Sequence, residues 1–404
     1  MTELTPANEN PWYILATICG EFERHVPNSE LLAQNRRMWN GWACSGMSDE
    51  HRKSIANKIG LPIEELAELE IEERMQLEAA FRDRVPEGIA IPLPKDQVAL
   101  SKTLFSNTVI FNKYVFAGSA SIADCIFEGG ADFSSCYFCE FCNLGGTEFK
   151  SNAWFEAATF CGPPSFNSAI FLGANFTSAE FGKMTDFGKA IFSHGADFSN
   201  SVFKKTARFN RTKFAGAAPK FFETVLHQDT RLSTETEYWP PVSEGDPQDS
   251  IEAYTRLRQV MNELQKPEEE HFFYRQEMRW RVKGASGWKW LLLVLFQELS
   301  EFGYSIARPI YCLTTLLIVP FLIYLVKFNW DEIVYETYHT KFESIALSFA
   351  SIFKIFGFQG LYFDSKYMNG LHPALQFLSG IQTILGFVFL FFLALGLRNR
   401  FRLR

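Results

Sequence analysis

The chain has 404 residues, long enough for two or three domains, and 16% of them are aromatic, mostly because it contains 42 Phe. Its formal net charge is -7, which gives no reason to expect nucleic-acid binding. No stretch is typical of a cleavable signal sequence, so we expect the eight Cys to be reduced thiols in the cytosol.

Residues 1–98 are predicted to form an α-helical N-terminal cap. Apolar and aromatic residues recur there at helical spacing, first after Pro11 and again around Trp39. Ser48 and Asp49 favour a helix that ends near Ile59, and Pro62 favours a second helix that runs to about Arg84.

From Leu100 to Phe214 an apolar residue recurs at steps of only five or six residues. The series has 22 members, of which 19 are Phe: Leu100, Phe105, Phe111, Phe116, Ile122, Phe127, Phe133, Phe138, Leu144, Phe149, Phe155, Phe160, Phe166, Phe171, Phe176, Phe181, Phe187, Phe192, Phe198, Phe203, Phe209 and Phe214. Neither a helix nor a simple strand keeps that period on one face, so the unit must be a short extended segment followed by a corner.

The residue two positions before each member is nearly always small, and residues two apart in an extended chain point the same way. Units such as Ala196-Asp197-Phe198-Ser199-Asn200 resemble the pentapeptide-repeat family. The resemblance implies that residues 99–232 form a right-handed quadrilateral β-helix. With four sides per coil, the series makes about five and a half coils, roughly 26 Å of rod.

Steps of five and six residues alternate along the series, which implies one extra corner residue on every second side. Only Phe166 to Phe181 contains three successive steps of five. We therefore predict that the extra residue changes faces there, with a kink or phase change in the rod.

Cysteine spacing in the repeat invites a metal site, because Cys136, Cys139 and Cys142 form a CxxCxxC run. The repeat register argues against it: Cys136 and Cys142 fall at the small inward position, as does Cys125, whereas Cys139 points outward, as does Cys161. We predict core thiols, and neither a metal nor any cofactor.

Residues 233–308 are predicted to be an α-helical linker followed by an interfacial helix. A polar, Pro-containing stretch leads into two helices broken at Pro267. The apolar run after Gly287 contains Trp288 and Trp290, is too short to cross a bilayer, and is predicted to lie on the membrane surface.

Residues 309–404 are predicted to be a membrane domain with two transmembrane helices, Pro309 to Phe328 and Ala374 to Leu397. A kink is expected at Pro320. Basic residues before the first helix and after the second (Arg398, Arg400, Arg402 and Arg404) predict an inner (plasma) membrane protein with both termini in the cytoplasm.

The segment between these helices predicts a re-entrant pore helix. From Glu343 it is apolar but too short to span, and we expect extended backbone after it. This layout resembles the two-helix pore module of the potassium-channel superfamily. In place of the Thr-Val-Gly-Tyr-Gly filter the chain has its own filter candidates: Phe356, Gly357, Phe358, Gln359 and Gly360. The difference leaves potassium selectivity and a carbonyl-lined filter unsupported.

The last helix carries polar and small residues on one face: Gln376, Ser379, Thr383 and Gly386, with Gln382 beside them. Polar residues in a membrane helix normally face a bundle interior or water, so the four are candidate pore-lining residues. The alternative is that they only hold helices together through hydrogen bonds.

Taken along its whole length, the chain resembles a bacterial group of membrane-bound pentapeptide-repeat proteins, which implies the domain order but no function. Our leading hypothesis is an oligomeric channel for inorganic ions, by default a tetramer, whose rod gates or anchors the pore. The alternative is a membrane-anchored scaffold that presents the rod to a protein partner. No nucleophile with a base, phosphate-binding loop or metal spacing indicates an enzyme.

Overall fold

The computed structural model describes residues 4–21, 28–243, 245–335 and 341–401, without the side chains of 331–335 and 341. Arg402 and Arg404 of the predicted basic tail lie outside these ranges. The chain divides into two compact units, Met1–Trp280 and Arg281–Arg404.

The N-terminal region is helical, as predicted. Its helices are α1 (Pro11–Ala16), α2 (Ser29–Ala43), α3 (Asp49–Ile59) and α4 (Ile71–Arg84). The single helix predicted from Pro62 to Arg84 is wrong, because a 3-10 turn at Ile63–Leu66 is separated from α4 by extended backbone at Ala67 and Glu70. Glu73 accepts a hydrogen bond from the Glu70 backbone N–H, which starts the new helix there.

This helical region covers the first coil of the repeat. The Asn10 side chain caps α1 by accepting from the Trp12 N–H, and it also donates to Thr103 Oγ1 at 3.0 Å. In α2, Trp39 Nε1 donates to the Val115 carbonyl, and Asn40 accepts from the Val115 N–H at 2.8 Å. Backbone groups that an open sheet edge would leave unpaired are thus occupied.

The repeat segment is a β-solenoid of about six turns, to which Thr5–Pro6 of the N-terminal region adds one strand that pairs with Thr103 and Leu104. Its strands, nearly all two or three residues long, are β1 (Thr5–Pro6), β2 (Val98–Ala99), β3 (Thr103–Phe105), β4 (Val109–Ile110), β5 (Val115–Phe116), β6 (Ala120–Ser121), β7 (Ile126–Phe127), β8 (Ala131–Asp132), β9 (Tyr137–Phe138), β10 (Cys142–Asn143), β11 (Glu148–Trp154), β12 (Thr159–Phe160), β13 (Pro164–Ser165), β14 (Ile170–Asn175), β15 (Glu180–Phe181), β16 (Thr185–Asp186), β17 (Ile191–Phe192), β18 (Ala196–Asp197), β19 (Val202–Phe203), β20 (Ala207–Phe209), β21 (Lys213–Phe214) and β22 (Arg231–Leu232). All their pairings are parallel, for example Val98 with Ala120 and Ala120 with Cys142.

The core is a set of stacked Phe columns. In one column Phe105 stacks on Phe127 at 4.4 Å with an interplanar angle of 5°, and Phe127 stacks on Phe149 at 4.9 Å. Phe of neighbouring sides meet edge to face, as Phe149 and Phe155 do at 6.1 Å. Each ring is fully buried, which contributes about 1.5–3 kcal/mol per side chain.

The alternation of five and six residues has a structural cause. Every step of five but one turns its corner through a left-handed residue, two positions after the central apolar residue. These residues have φ between 54° and 69°: Lys102, Lys113, Asp124, Ser135, Gly146, Ala157, Ser168, Ser178, Lys189, Asn200 and Arg211. The steps of six have no left-handed residue at that position; in one of them Gly195, three positions after Phe192, has φ of 139°. The corners are therefore of two kinds, and they alternate around the coil.

The exception lies where the sequence shows three successive steps of five. Pairing between β11 and β14 shifts from Phe149–Phe171 to Asn152–Gly173, so this coil is one residue shorter. The following pair, Ala174 with Ala196, restores the longer coil. The sequence located this irregularity correctly, but the extra residue stays on the same faces before and after it, so the predicted change of faces is wrong. Phe155 still stacks on Phe176 at 4.9 Å across this position.

Several inward small residues with a polar atom donate to the neighbouring coil. Cys125 Sγ donates to the Leu100 carbonyl at 2.8 Å, Cys136 Sγ to the Phe111 carbonyl, and Thr212 Oγ1 to the Phe187 carbonyl. The inward assignment of Cys125, Cys136 and Cys142 is confirmed, and Cys139 and Cys161 lie partly exposed on the outside. Within the described ranges no cluster of His, Cys, Asp and Glu is arranged to hold a metal ion.

Two helices follow the rod, α5 (Pro247–Glu263) and α6 (Pro267–Gly284), with the predicted break at Pro267. Trp239, from the stretch predicted to be linker, is buried between Phe214 of the last coil and Phe273 of α6. Both ends of the solenoid core are thus covered.

The second unit is helical in its described parts: α7 (Gly287–Ser300), α8 (Ala307–Tyr335), α9 (Lys341–Ile352), α10 (Phe358–Tyr362), α11 (Ser365–Gly370) and α12 (Pro373–Phe401). Pro320 lies inside α8, which continues through it as one helix.

Candidate functional site

The candidate site is the polar interior of the second unit, where α8, α9 and α12 meet. Two helical segments, Ala307–Trp330 and Pro373–Phe401, are long and apolar enough to cross a membrane. The length and composition of these two segments hint at membrane association. The predicted cytoplasmic location of both termini stays a prediction. Polar side chains between such helices are costly unless they are paired, so their partners indicate what the module can do.

Helix α9 packs against both long helices. It has 12 residues, about 18 Å, and is too short to cross a bilayer. Its buried face carries three serines at helical spacing, Ser344, Ser348 and Ser351, together with Leu347 and Ala350. Ser348 donates to the carbonyl of Leu317, in the middle of the apolar part of α8.

Gln382 of α12 is the centre of the hydrogen-bond network and is fully buried. Its Oε1 accepts from the Tyr324 hydroxyl of α8 at 2.7 Å. Its Nε2 donates to Ser348 Oγ at 2.8 Å and to the Leu316 carbonyl at 3.0 Å. One amide thus joins three helices, and its oxygen and nitrogen both have partners within the chain.

A second set of contacts joins α12 to the end of α9. Ser351 Oγ and Ser379 Oγ are 2.8 Å apart, and Thr383 Oγ1 donates to the carbonyls of Ser351 and Ser379. A Cβ on Gly386 would lie 2.8 Å from the Ile352 carbonyl oxygen. The small residue at 386 is therefore required for the close approach of α9.

The four predicted pore-lining residues do not share one open surface. Ser379 and Gly386 are buried and Thr383 is half-buried, all against α9. Gln376 lies apart from them, exposed, and donates to the Leu371 carbonyl at 2.9 Å. Within one chain the polar face of α12 holds helices together, which is the alternative reading of that pattern, and the pore-lining role stays a prediction.

The extended backbone predicted after the short helix is wrong. Lys354–Phe356 is a 3-10 turn, Gly357 is left-handed with φ of 81°, and α10 follows directly. The Gly357 carbonyl accepts from the Gly360 N–H, and the Gln359 carbonyl from the Phe363 N–H. These carbonyls are engaged in local helical turns.

The side chains of the filter candidates are scattered in the same segment. Phe356 is 64% exposed, and Phe358 is half-buried against Phe349 and Phe353. Gln359 is buried, with its amide 3.5 Å from the Met368 sulfur. Nothing lies within 4 Å of a Cβ placed on Gly357 or Gly360.

Sequence reasoning named Gln382 only as a neighbour and missed Tyr324, Ser348 and Ser351. The three serines of α9 carry a signal, since steps of four and three place them on one helix face. Tyr324 carries none, because a single Tyr in an apolar helix gives no indication of its partner.

Comparisons with known proteins bear on the solenoid alone. A family described as Pentapeptide repeats (9 copies) matches residues 166–213. No curated protein and no solved structure matches the chain. The chain thus contains pentapeptide repeats in a β-solenoid, together with two helices able to span a membrane.

Proposed function

We propose that this chain is a membrane-anchored scaffold. In this proposal α8 and α12 cross the inner (plasma) membrane, both termini are cytoplasmic, and the solenoid is held in the cytosol to bind a protein partner. The observation that supports it is the pairing of Gln382 with Tyr324 and Ser348. An ion pathway needs polar groups that face water. Here buried polar groups of α8, α9 and α12 are instead hydrogen-bonded to one another within one chain.

The solenoid supports the scaffold role by its rigidity and by one outer face. Its ends are covered, so its sides are the surface left for a partner. The outward positions of one side are mostly aliphatic: Leu104, Ile126, Ile170 and Ile191, with Leu172 adjacent and Glu148 between Ile126 and Ile170. Ile170 and Leu172 are exposed. A mostly aliphatic surface with polar residues in and around it suits a protein partner.

A second candidate function is the oligomeric ion channel, and one observation favours it. Helix α9 is too short to span yet contacts the middle of α8 through Ser348 and Leu317, as a re-entrant helix would. In that case four chains would assemble through the apolar outer faces of α8 and α12 to conduct inorganic ions.

Ion flux decides between the two. We would reconstitute the purified chain in liposomes with sodium, potassium or chloride gradients. The scaffold predicts no flux above empty liposomes. A channel predicts flux that Thr383→Trp abolishes, whereas Phe141→Trp, at an exposed site on the solenoid, leaves it unchanged.

Labelling tests the topology separately. Tyr362, between the two long helices, is more than half exposed. A membrane-impermeant maleimide should label Tyr362→Cys in intact cells, and Lys205→Cys on the solenoid only after permeabilisation. Labelling of both from the same side, before permeabilisation, would contradict the proposed anchoring.

A further inference from the structure

Helix α7 presents an apolar surface that no other described part of its unit covers. Trp288 is 71% exposed, and Trp290, Leu291, Leu292 and Leu295 are each more than 40% exposed. Only Ser300 of this helix is buried. Soluble surfaces rarely expose so continuous an apolar patch.

The other side of α7 is fixed to the ends of the two long helices. Phe296 stacks on Phe392 of α12 at 5.8 Å. The turn after α7 is held by Asn399 of α12, whose Nδ2 donates to the Gly303 carbonyl at 2.9 Å. Arg308 of α8 donates to the Gln297 carbonyl at 2.7 Å. Helix α7 therefore lies level with the start of α8 and the end of α12.

That level is where an apolar helix leaves the hydrocarbon. Trp side chains prefer the boundary between hydrocarbon and headgroups, and two of them lie on the exposed surface of α7. Basic groups lie near the same level: Lys289 on α7, and Arg398 and Arg400 about two turns beyond Phe392, all exposed. The acidic groups nearby are Glu298, which is 4.0 Å from Arg308, and Glu301.

We propose that α7 lies in the headgroup layer of the bilayer, where Lys289, Arg398 and Arg400 bind anionic phospholipid headgroups. The Trp and Leu side chains enter the outer hydrocarbon, and the three cations face the phosphates. The inference rests on the proposed membrane anchoring and adds the lipid class that the anchor selects.

The test uses the full chain in phosphatidylcholine vesicles. A minor fraction of the lipid is replaced by phosphatidylglycerol or phosphatidylcholine with the same brominated acyl chains, which quench Trp emission. The emission of α7 is obtained as a difference: the emission of the variant Trp288→Phe/Trp290→Phe is subtracted from that of the unsubstituted chain. Quenching of the other Trp residues is removed by the same subtraction.

Brominated phosphatidylglycerol should quench the α7 emission at about fivefold lower content, or less, than brominated phosphatidylcholine, because each basic residue near the surface attracts anionic lipid by about 1 kcal/mol. Lys289→Gln/Arg398→Gln/Arg400→Gln should abolish this preference while both lipids still quench. Lys205→Gln, exposed on the solenoid, should keep it. Raising the salt concentration should weaken it.

Two results would overturn the inference. Equal quenching by both lipids in the unsubstituted chain would show that no anionic headgroup is selected. A chain that floats with the vesicles but whose α7 emission is quenched by neither lipid would show that protein covers α7. A chain that does not float with vesicles at all would instead refute the proposed anchoring, so the two failures are distinguishable.

Discussion

The solenoid and the helical module both bury polar atoms, but they pair them differently. In the solenoid an inward Cys or Thr donates to a carbonyl of the neighbouring coil, at nearly constant sequence separation, as Cys125 does to Leu100 and Thr212 to Phe187. In the module Gln382 of α12 bonds to Tyr324 of α8 and to Ser348 of α9, so that one side chain joins three separate helices. A repeat spreads its stability over many equivalent contacts, whereas the module concentrates it in a few.

The largest expected effect tests how much one ring of the stacked Phe columns contributes to the stability of the solenoid. Phe155→Ala removes a ring stacked on Phe133 and Phe176 and leaves a cavity. We expect a loss of about 3–5 kcal/mol in the free energy of unfolding, seen as a drop of about 10 °C in the near-ultraviolet thermal transition. Phe141→Ala, at an exposed site, should change it little. Equal losses would mean that the columns do not carry the stability.

The central amide of the module should show the cost of concentrating contacts. Gln382→Leu leaves the Tyr324 hydroxyl and Ser348 Oγ without this partner in an apolar interior. The expected loss is about 1–3 kcal/mol, measured by unfolding in mixed detergent micelles. Gln376→Leu, on the same helix but exposed, is the matched control. A variant at 382 as stable as the control would contradict the network's role.

Two glycines of α12 sharpen the same point. Gly386→Ala would push a methyl group against the Ile352 backbone at 2.8 Å and displace α9, at a cost of about 1–3 kcal/mol. A Cβ on Gly380 meets nothing within 4 Å, so Gly380→Ala should stabilise the helix by up to about 1 kcal/mol. Unfolding in mixed detergent micelles measures the free energy of unfolding of both variants. We expect Gly386→Ala to lower it and Gly380→Ala to raise it. Effects of the same sign would argue against tight packing of α9.

The smallest effect concerns a long-range contact on the solenoid. The Glu180 carboxylate pairs with Lys58 of α3 and with Lys204 of the next coil. Burial acts to raise the pKa of Glu180, but hydrogen bonds and charges from the two lysines outweigh it and hold the pKa below its usual 4.5. A lowered pKa stabilises the fold above pH 4.5, and that contribution is lost as pH falls through the folded-state pKa.

Glu180→Gln should therefore lower the thermal midpoint slightly near neutral pH and make no difference at strongly acidic pH. The measurement is thermal unfolding of the variant and the unsubstituted chain between neutral and acidic pH. Glu156→Gln, at an exposed site on the solenoid, should show no such convergence. A constant difference at all pH values would mean that the charge of Glu180 does not hold α3.

Prediction from sequence succeeded where neighbours in space are set by a fixed sequence offset. The period of Phe149, Phe155 and Phe160 identified the solenoid, the inward side of Cys136 and the local change near Gly173. The prediction that the extra residue changes faces failed at the corner 171–176. A coil that is one residue short does not by itself show which of its corners is shortened. Prediction also failed after α9, where an apolar run with Gly357 fits both extended backbone and helical turns.

By itself the sequence determined the solenoid and the two long apolar helices, since hydrophobic period and segment length are local properties that the backbone must obey. Only the tertiary structure decided what the polar face of α12 contacts. Ser379, Thr383 and Gly386 fit a water-filled path and a helix interface equally well as a pattern. The choice depends on whether α9 comes within hydrogen-bond reach, and Ser351 lies 2.8 Å from Ser379 because Gly386 leaves room for it.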